Sequence, residues 1–123
     1  MSWDAALRDD RGHVEGEWNY THNCNRMANL ALDASYEQMT VGREVLMPPP
    51  EHRSWWKQLD GLSGAAGAEL LGRIVTAMEA EPERYRALNP DNGWGDFDSF
   101  LTVLREMHKS SCVEWPTVWS VDG

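Results

Sequence analysis

Hydrophobic spacing gives this chain β-prone ends and a helical middle. Val14, Trp18 and Tyr20 fall on one parity, as in a half-buried strand over residues 13–21, although Gly16 interrupts the pattern. Trp115, Thr117, Trp119 and Val121 alternate in the same way near the carboxyl end, where Pro116 favours an edge position. A lone strand leaves its backbone groups unpaired, so the two segments are expected to pair with each other. Residues 1–12 mix charges without a period and end in Asp9-Asp10-Arg11-Gly12. They read as a mobile leader, with Trp3 docked on the body.

Between the ends the spacing is helical. Asn23 can cap a helix over residues 25 to about 39, with Met27, Leu30, Ala31 and Ala34 in one apolar stripe. Val45, Leu46 and Met47 lead into Pro48-Pro49-Pro50, a stiff polyproline connector that no helix crosses. Residues 51–59 fit a short helix presenting Trp55 and Trp56, closed by Asp60-Gly61. Leu70, Leu71, Ile74, Val75 and Met78 predict a long helix over 63–81, and Pro82 opens a short one through 88. Asn89-Pro90-Asp91-Asn92-Gly93-Trp94-Gly95 has the residues of tight turns. A last helix over about 98–111 buries Phe97, Phe100, Leu101, Leu104 and Met107. The expected fold class is α+β: one compact domain over 13–123, mostly helical with three to four helices, plus a small two-stranded sheet formed by the N- and C-terminal segments.

Composition narrows the function. A chain of 123 residues with 41% hydrophobic and 25% charged positions is long enough for one folded domain and too short for two ordinary ones. Its net charge of −9 argues against direct nucleic-acid binding, which needs clustered Lys and Arg. It does suit docking on a basic host protein. No apolar run approaches the roughly 20 residues of a membrane span, and two cysteines, Cys24 and Cys112, are too few for a disulfide scaffold; a cytoplasmic location is expected. Seven tryptophans are the anomaly, since indoles either pack a small core or wall a site for flat ligands.

Two polar-aromatic segments carry the candidate chemistry. Asn19, Thr21, His22, Asn23 and Asn25 crowd the junction of the first strand and first helix, where free backbone N–H groups suit a carbonyl-bearing or anionic ligand. Asn both donates and accepts, which fits the edge of a base or an amide. The alternative is structural: Asn23 caps the helix, Thr21 closes a turn and His22 is satisfied within the fold. In the second segment, Gly93 and Gly95 flank Trp94 so that the backbone turns sharply while the indole is held in place. Neither this segment nor Gly61-Leu62-Ser63-Gly64-Ala65-Ala66-Gly67 has the Gly-Lys-Ser/Thr of a phosphate loop.

Trp-Asn-Tyr-Thr-His-Asn (Trp18 to Asn23) together with Asn-Pro-Asp-Asn-Gly-Trp-Gly (Asn89 to Gly95) resembles a family of small uncharacterised proteins of bacteriophages, including those of actinobacteria, and of some bacterial chromosomes. The likeness runs through Glu81 to Tyr85 and the helix ending near Cys112. It implies that both segments belong to one recurrent design, and it carries no activity. The family places an aliphatic residue where this chain has Cys24.

Other chemistries are weaker. His22-x-Cys24 and His108-x-x-x-Cys112 could supply four zinc ligands, but there is no Cys-x-x-Cys pair. His22 beside Thr21 or Cys24 would give a small hydrolase, and Glu15 with Glu17 a carboxylate pair, yet no Gly-x-Ser-x-Gly elbow is present. The sequence therefore points to a non-catalytic phage accessory protein without cofactor or metal. It would bind, and in a phage setting sequester, a small polar or nucleotide-like host molecule. The pocket would be walled by Trp18 and Trp94 and lined by Asn19, Thr21, His22, Asn23, Asn89 and Asn92. The rival is an interaction module that inhibits a host protein through an acidic, Trp-rich surface bearing Trp55 and Trp56.

Overall fold

Trp3, Ala5 and Leu7 are buried, while Asp4, Ala6 and Arg8 between them point away from the core. This is the period of a strand with one wet face. A computed structural model of the chain describes residues 2–40 and 54–123, without the side chains of 37–40. In it, strand β1 (Ser2–Asp9) is the centre of a three-stranded antiparallel sheet in the order β2-β1-β3. Strand β2 (Val14–Thr21) pairs with it from Ser2 opposite Thr21 to Arg8 opposite Val14, with an irregularity between Leu7 and Arg8. Strand β3 (Thr117–Asp122) pairs on the other side, from Asp4 opposite Asp122 to Asp9 opposite Thr117.

Two expectations are corrected here. The sheet has three strands, not two, because the aromatic segments near residues 13–21 and 115–121 both pair with β1 rather than with each other. The supposed leader is the middle strand, and its charged end is a hairpin turn. Asp9 Oδ1 accepts from the backbone N–H of Arg11 (2.9 Å) and His13 (2.8 Å), and Gly12 takes φ +83°. Gly16 interrupts the alternation for a packing reason: the Trp18 indole lies across it, and a Cβ there would stand 2.4 Å from Trp18 Cη2.

A 3-10 turn (His22–Cys24) leads from β2 into α1 (Asn25–Thr40). Four further helices follow among the described residues: α2 (Trp55–Leu59), α3 (Gly64–Ala80), α4 (Pro82–Arg86) and α5 (Phe97–Ser111). The expected three or four helices thus become five. Two of them carry side-chain caps, Ser63 Oγ accepting from Ala66 N (3.2 Å) and Asp96 Oδ1 accepting from Ser99 N (2.8 Å), and Pro82 opens α4 as expected. The polyproline connector, with residues 45–47 before it, and the start of the helix expected over 51–59 lie outside the described residues.

All five helices lie on one face of the sheet or against one another. Trp3, Trp55 and Phe100 form the aromatic centre, with Trp3 edge-on to Trp55 at 5.2 Å and Trp55 6.0 Å from Phe100. Helix α3 reaches β3 closely because Gly67 has no side chain; a Cβ there would stand 2.5 Å from the Trp119 ring. Trp119 Nε1 donates to Ser111 Oγ (2.9 Å), and Ser111 donates in turn to the Gly64 carbonyl (2.5 Å). The outer edge of β3 is closed by the α2–α3 turn, where Trp119 N–H donates to Leu62 O (2.8 Å) and Gly61 N–H to Trp119 O (2.9 Å). The opposite face of the sheet, bearing Asp4, Ala6, Arg8, Ser120 and Asp122, is left without a helical cover among the described residues. No described helix is long and apolar enough to cross a membrane.

Candidate functional site

The site begins where the sheet runs out. Ser2 and Thr21 form the last pair of β1 and β2, and Thr21 then caps the 3-10 turn, its Oγ1 accepting from Asn23 N–H at 3.3 Å. The α4–α5 connection comes down on the same corner. Asn92 Oδ1 accepts from Trp94 N–H (3.0 Å), a local turn that Gly93 completes at φ +75°. Asn23 Nδ2 then donates to the Trp94 carbonyl (3.2 Å) and to Asn92 Oδ1 (3.4 Å), so the turn is pinned to the start of the first helix. Tyr20 holds the other side, its hydroxyl accepting from Asp96 N–H (3.1 Å) and lying 2.6 Å from Ser99 Oγ. Burial pushes the Tyr20 phenol above its ordinary value, which keeps that proton on.

The result is an open groove of about 550 Å³ lined by Ser2, Asn19, Thr21, Asn23, Asn92 and Trp94. Trp94 is 69% exposed, although both its backbone polar groups are hydrogen-bonded. Asn19 Nδ2 is spent on Ser2 Oγ (3.2 Å), the Trp3 carbonyl (3.1 Å) and Asp4 Oδ1 (2.8 Å), which leaves its Oδ1 as an acceptor. Asn23 likewise keeps Oδ1, and Asn92 keeps its amide hydrogens, because their other atoms hold the turn. None of the six lining side chains is charged, and Asn19 among them is bonded to the Asp4 carboxylate.

Five of the residues predicted from sequence therefore meet: Asn19, Thr21, Asn23, Asn92 and Trp94. Trp18, His22 and Asn89 do not line this groove. Trp18 packs on Trp119 (5.4 Å) and borders a neighbouring recess on the sheet face. His22 packs at a tilt against Trp56 (5.4 Å between rings), and its Nδ1 accepts from Asn25 Nδ2 at 2.7 Å while Asn25 Oδ1 accepts from Trp55 Nε1 at 3.1 Å. Asn89 Oδ1 accepts from Phe97 N–H (2.8 Å) and so fixes the start of α5. Ser2 was not predicted. The signal for it was the Trp3-Ala5-Leu7 alternation, which makes Ser2 a strand residue facing the same way as Asp4.

The competing sites do not assemble. Cys24 is buried beneath Gly95, and burial raises its thiol pKa, whereas His108 and the exposed Cys112 form a separate pair at 3.7 Å. Among the described residues no group of three or more His, Cys, Asp and Glu side chains converges. Of the two nucleophiles expected beside His22, Cys24 is fully buried and Thr21 Oγ1 accepts from Asn23 N–H. Glu15 is engaged by Trp115 Nε1 (2.9 Å). Trp55 is entirely buried, which removes it as a contact residue of an interaction surface. Comparison of the chain with protein-family models, curated proteins and solved structures finds no match.

Proposed function

We propose that the protein is a non-catalytic binding protein whose Trp94 groove takes a small, flat, neutral polar molecule of the nucleobase type. One observation carries this reading: an exposed indole stands on a pinned turn beside side-chain amides that still have both donors and acceptors to offer. A planar heterocycle satisfies both at once, stacking on the indole and exchanging hydrogen bonds along its edge. The lining also narrows the nucleotide-like class. With no lysine or arginine among the described residues that line the groove and Asp4 bonded to its wall, the lining offers a phosphate no cation, so the base or nucleoside is the favoured ligand over the phosphorylated form. In a phage setting, which the two sequence motifs suggest, such binding would sequester a host molecule.

Calorimetric titration with adenosine, guanosine, cytidine and uridine, and with their triphosphates, tests the proposal. At least one nucleoside should bind more tightly than its triphosphate, and Trp94→Ala should abolish the heat while the protein stays folded. Absence of binding by every nucleoside at millimolar concentration, or unchanged binding by Trp94→Ala and Asn23→Ala together, would overturn it.

A further inference from the structure

The sheet has two outer edges, and the fold treats them differently. That of β3 is closed by the α2–α3 turn, whereas among the described residues no backbone hydrogen bond reaches residues 15–20 of β2 from outside the sheet. The Tyr20 hydroxyl is bonded to Asp96 and Ser99 at the start of α5, so the open stretch is residues 15–19. An edge strand turns the N–H and C=O groups of alternate residues away from its neighbour, and such a row is a template for one more strand.

The side chains beside this edge are acidic. Glu17 stands opposite Ala6 and Asn19 opposite Asp4, which places them on the uncovered face of the sheet. Asp4 in turn stands opposite Asp122 of β3. Asp4, Glu17 and Asp122 border a recess of about 490 Å³ that Ala6 also lines, three carboxylates against the one guanidinium of Arg8. Among the described residues none of the three has an ion-pair partner. The other side of the strand is apolar, where the half-buried Trp18 indole lies across Gly16.

Charge decides which strand fits. A second copy pairing antiparallel through the middle of the stretch sets Glu17 against Glu17, or Glu15 against Glu17, and like charges directly opposite are destabilising. A strand with lysine or arginine at alternate positions meets the carboxylates instead. We propose that the outer edge of β2 takes up an extended segment of a partner protein as a fourth strand of the sheet. Its basic residues lie over the face bearing Asp4, Glu17 and Asp122, and its apolar residues lie against Trp18. This docking surface and the Trp94 groove have only Asn19 in common, and neither proposal depends on the other.

A capped peptide of four Lys-Val repeats tests the proposal, beside its isomer with four lysines followed by four valines. The readout is amide hydrogen exchange of the full chain. At saturation with the alternating peptide, alternate amides of residues 15–19 should exchange at least about tenfold more slowly, and the block isomer should bind more weakly. N-methylation of one set of alternate residues, the one whose N–H groups face β2, should abolish binding, while N-methylation of the other set should preserve it. Glu17→Lys should weaken binding about tenfold, because one exposed attraction becomes a repulsion. Trp94→Ala should leave it unchanged. Equal binding of the block isomer, retained binding by both N-methylated forms, unchanged affinity of Glu17→Lys, or no added protection in β2 would each overturn the proposal. So would protection of the same amides by raised protein concentration alone, which assigns the edge to a second copy.

Discussion

Gly95→Ala and Gly93→Ala, compared with each other, test whether the Trp94 turn is seated on the first helix as described. Both glycines have positive φ, +92° and +75°, so alanine pays the left-handed penalty of about 1–2 kcal/mol at either position. A gain of about 0.4–1 kcal/mol from the stiffer unfolded chain offsets part of it. The two sites differ in their surroundings. A Cβ at Gly93 meets nothing within 4 Å, whereas one at Gly95 would stand 2.7 Å from Thr21 Cγ2, 3.1 Å from Cys24 Sγ and 3.2 Å from Tyr20 Cε2. Overpacking of that kind adds about 1–3 kcal/mol. Gly93→Ala should therefore cost about 1 kcal/mol and Gly95→Ala about 2–4 kcal/mol. Urea unfolding followed by circular dichroism, with both variants sharing the wild-type m-value, reads the difference directly. If the two agree within about 0.5 kcal/mol, the turn does not rest on Thr21 and Cys24, and the groove has no fixed wall.

Asn25→Ala should cost about 2–4 kcal/mol in the same assay, because it strips partners from both His22 Nδ1 and the buried Trp55 Nε1; a loss below about 1 kcal/mol would mean those bonds are not made. Titration of thiols with a chromogenic disulfide should find one fast equivalent in the folded protein, the exposed Cys112. Cys24, buried and with its thiol pushed up by that burial, should react only after unfolding, and two fast equivalents would refute this placement. The Arg86 guanidinium, hydrogen-bonded to Asp98 with Nη2 to Oδ1 at 2.9 Å, holds the Asp98 carboxyl below its ordinary range. The stabilisation from a depressed carboxyl is present above the unfolded value of about 3.9 and is lost as pH falls through the lower folded value. Arg86→Gln should move the Asp98 midpoint, read by carboxyl carbon NMR, up toward that ordinary value, and an unmoved midpoint would remove Arg86 as the cause.

The helices were legible because their signals are local. The apolar spacing of Leu70, Leu71, Ile74, Val75 and Met78, with Ser63 at the front, needs no knowledge of the rest of the chain. Strand β1 was hidden by the same chemistry that makes it a central strand with one wet face. Its outward positions carry Asp4 and Arg8, its inward ones include the weakly hydrophobic Ala5, and the Asp-rich turn after it reads as disorder until its backbone bonds are seen. Missing that strand also made the two outer strands look like each other's partners. At the site, Asn23, Asn92 and Trp94 were legible because glycine and asparagine announce a turn. His22, Asn89 and Trp18 were misplaced because what claims them is distant in sequence or on the far side of a turn: Trp56, the Phe97 amide and Trp119.

The groove stays open for a reason that can be weighed. Burying an indole removes about 150–250 Å² from water, worth roughly 4–6 kcal/mol at about 25 cal/mol per Å². With 69% of Trp94 exposed, about 3 kcal/mol of that remains unrealised in the folded chain. Burying the indole by sinking the whole turn would recover part of it, but would break the two bonds that Asn92 and Asn23 make to the Trp94 backbone and would move a turn wedged by Gly95 against Thr21. Those bonds are worth about 0.5–1.5 kcal/mol each, and the asparagine groups would be left unpaired beside the sheet. The balance holds the turn in place with its indole exposed at the groove. A flat ligand can take up the apolar area that the chain cannot, without disturbing any bond that holds the turn, which is why the exposed tryptophan and the pinned asparagines belong to one site.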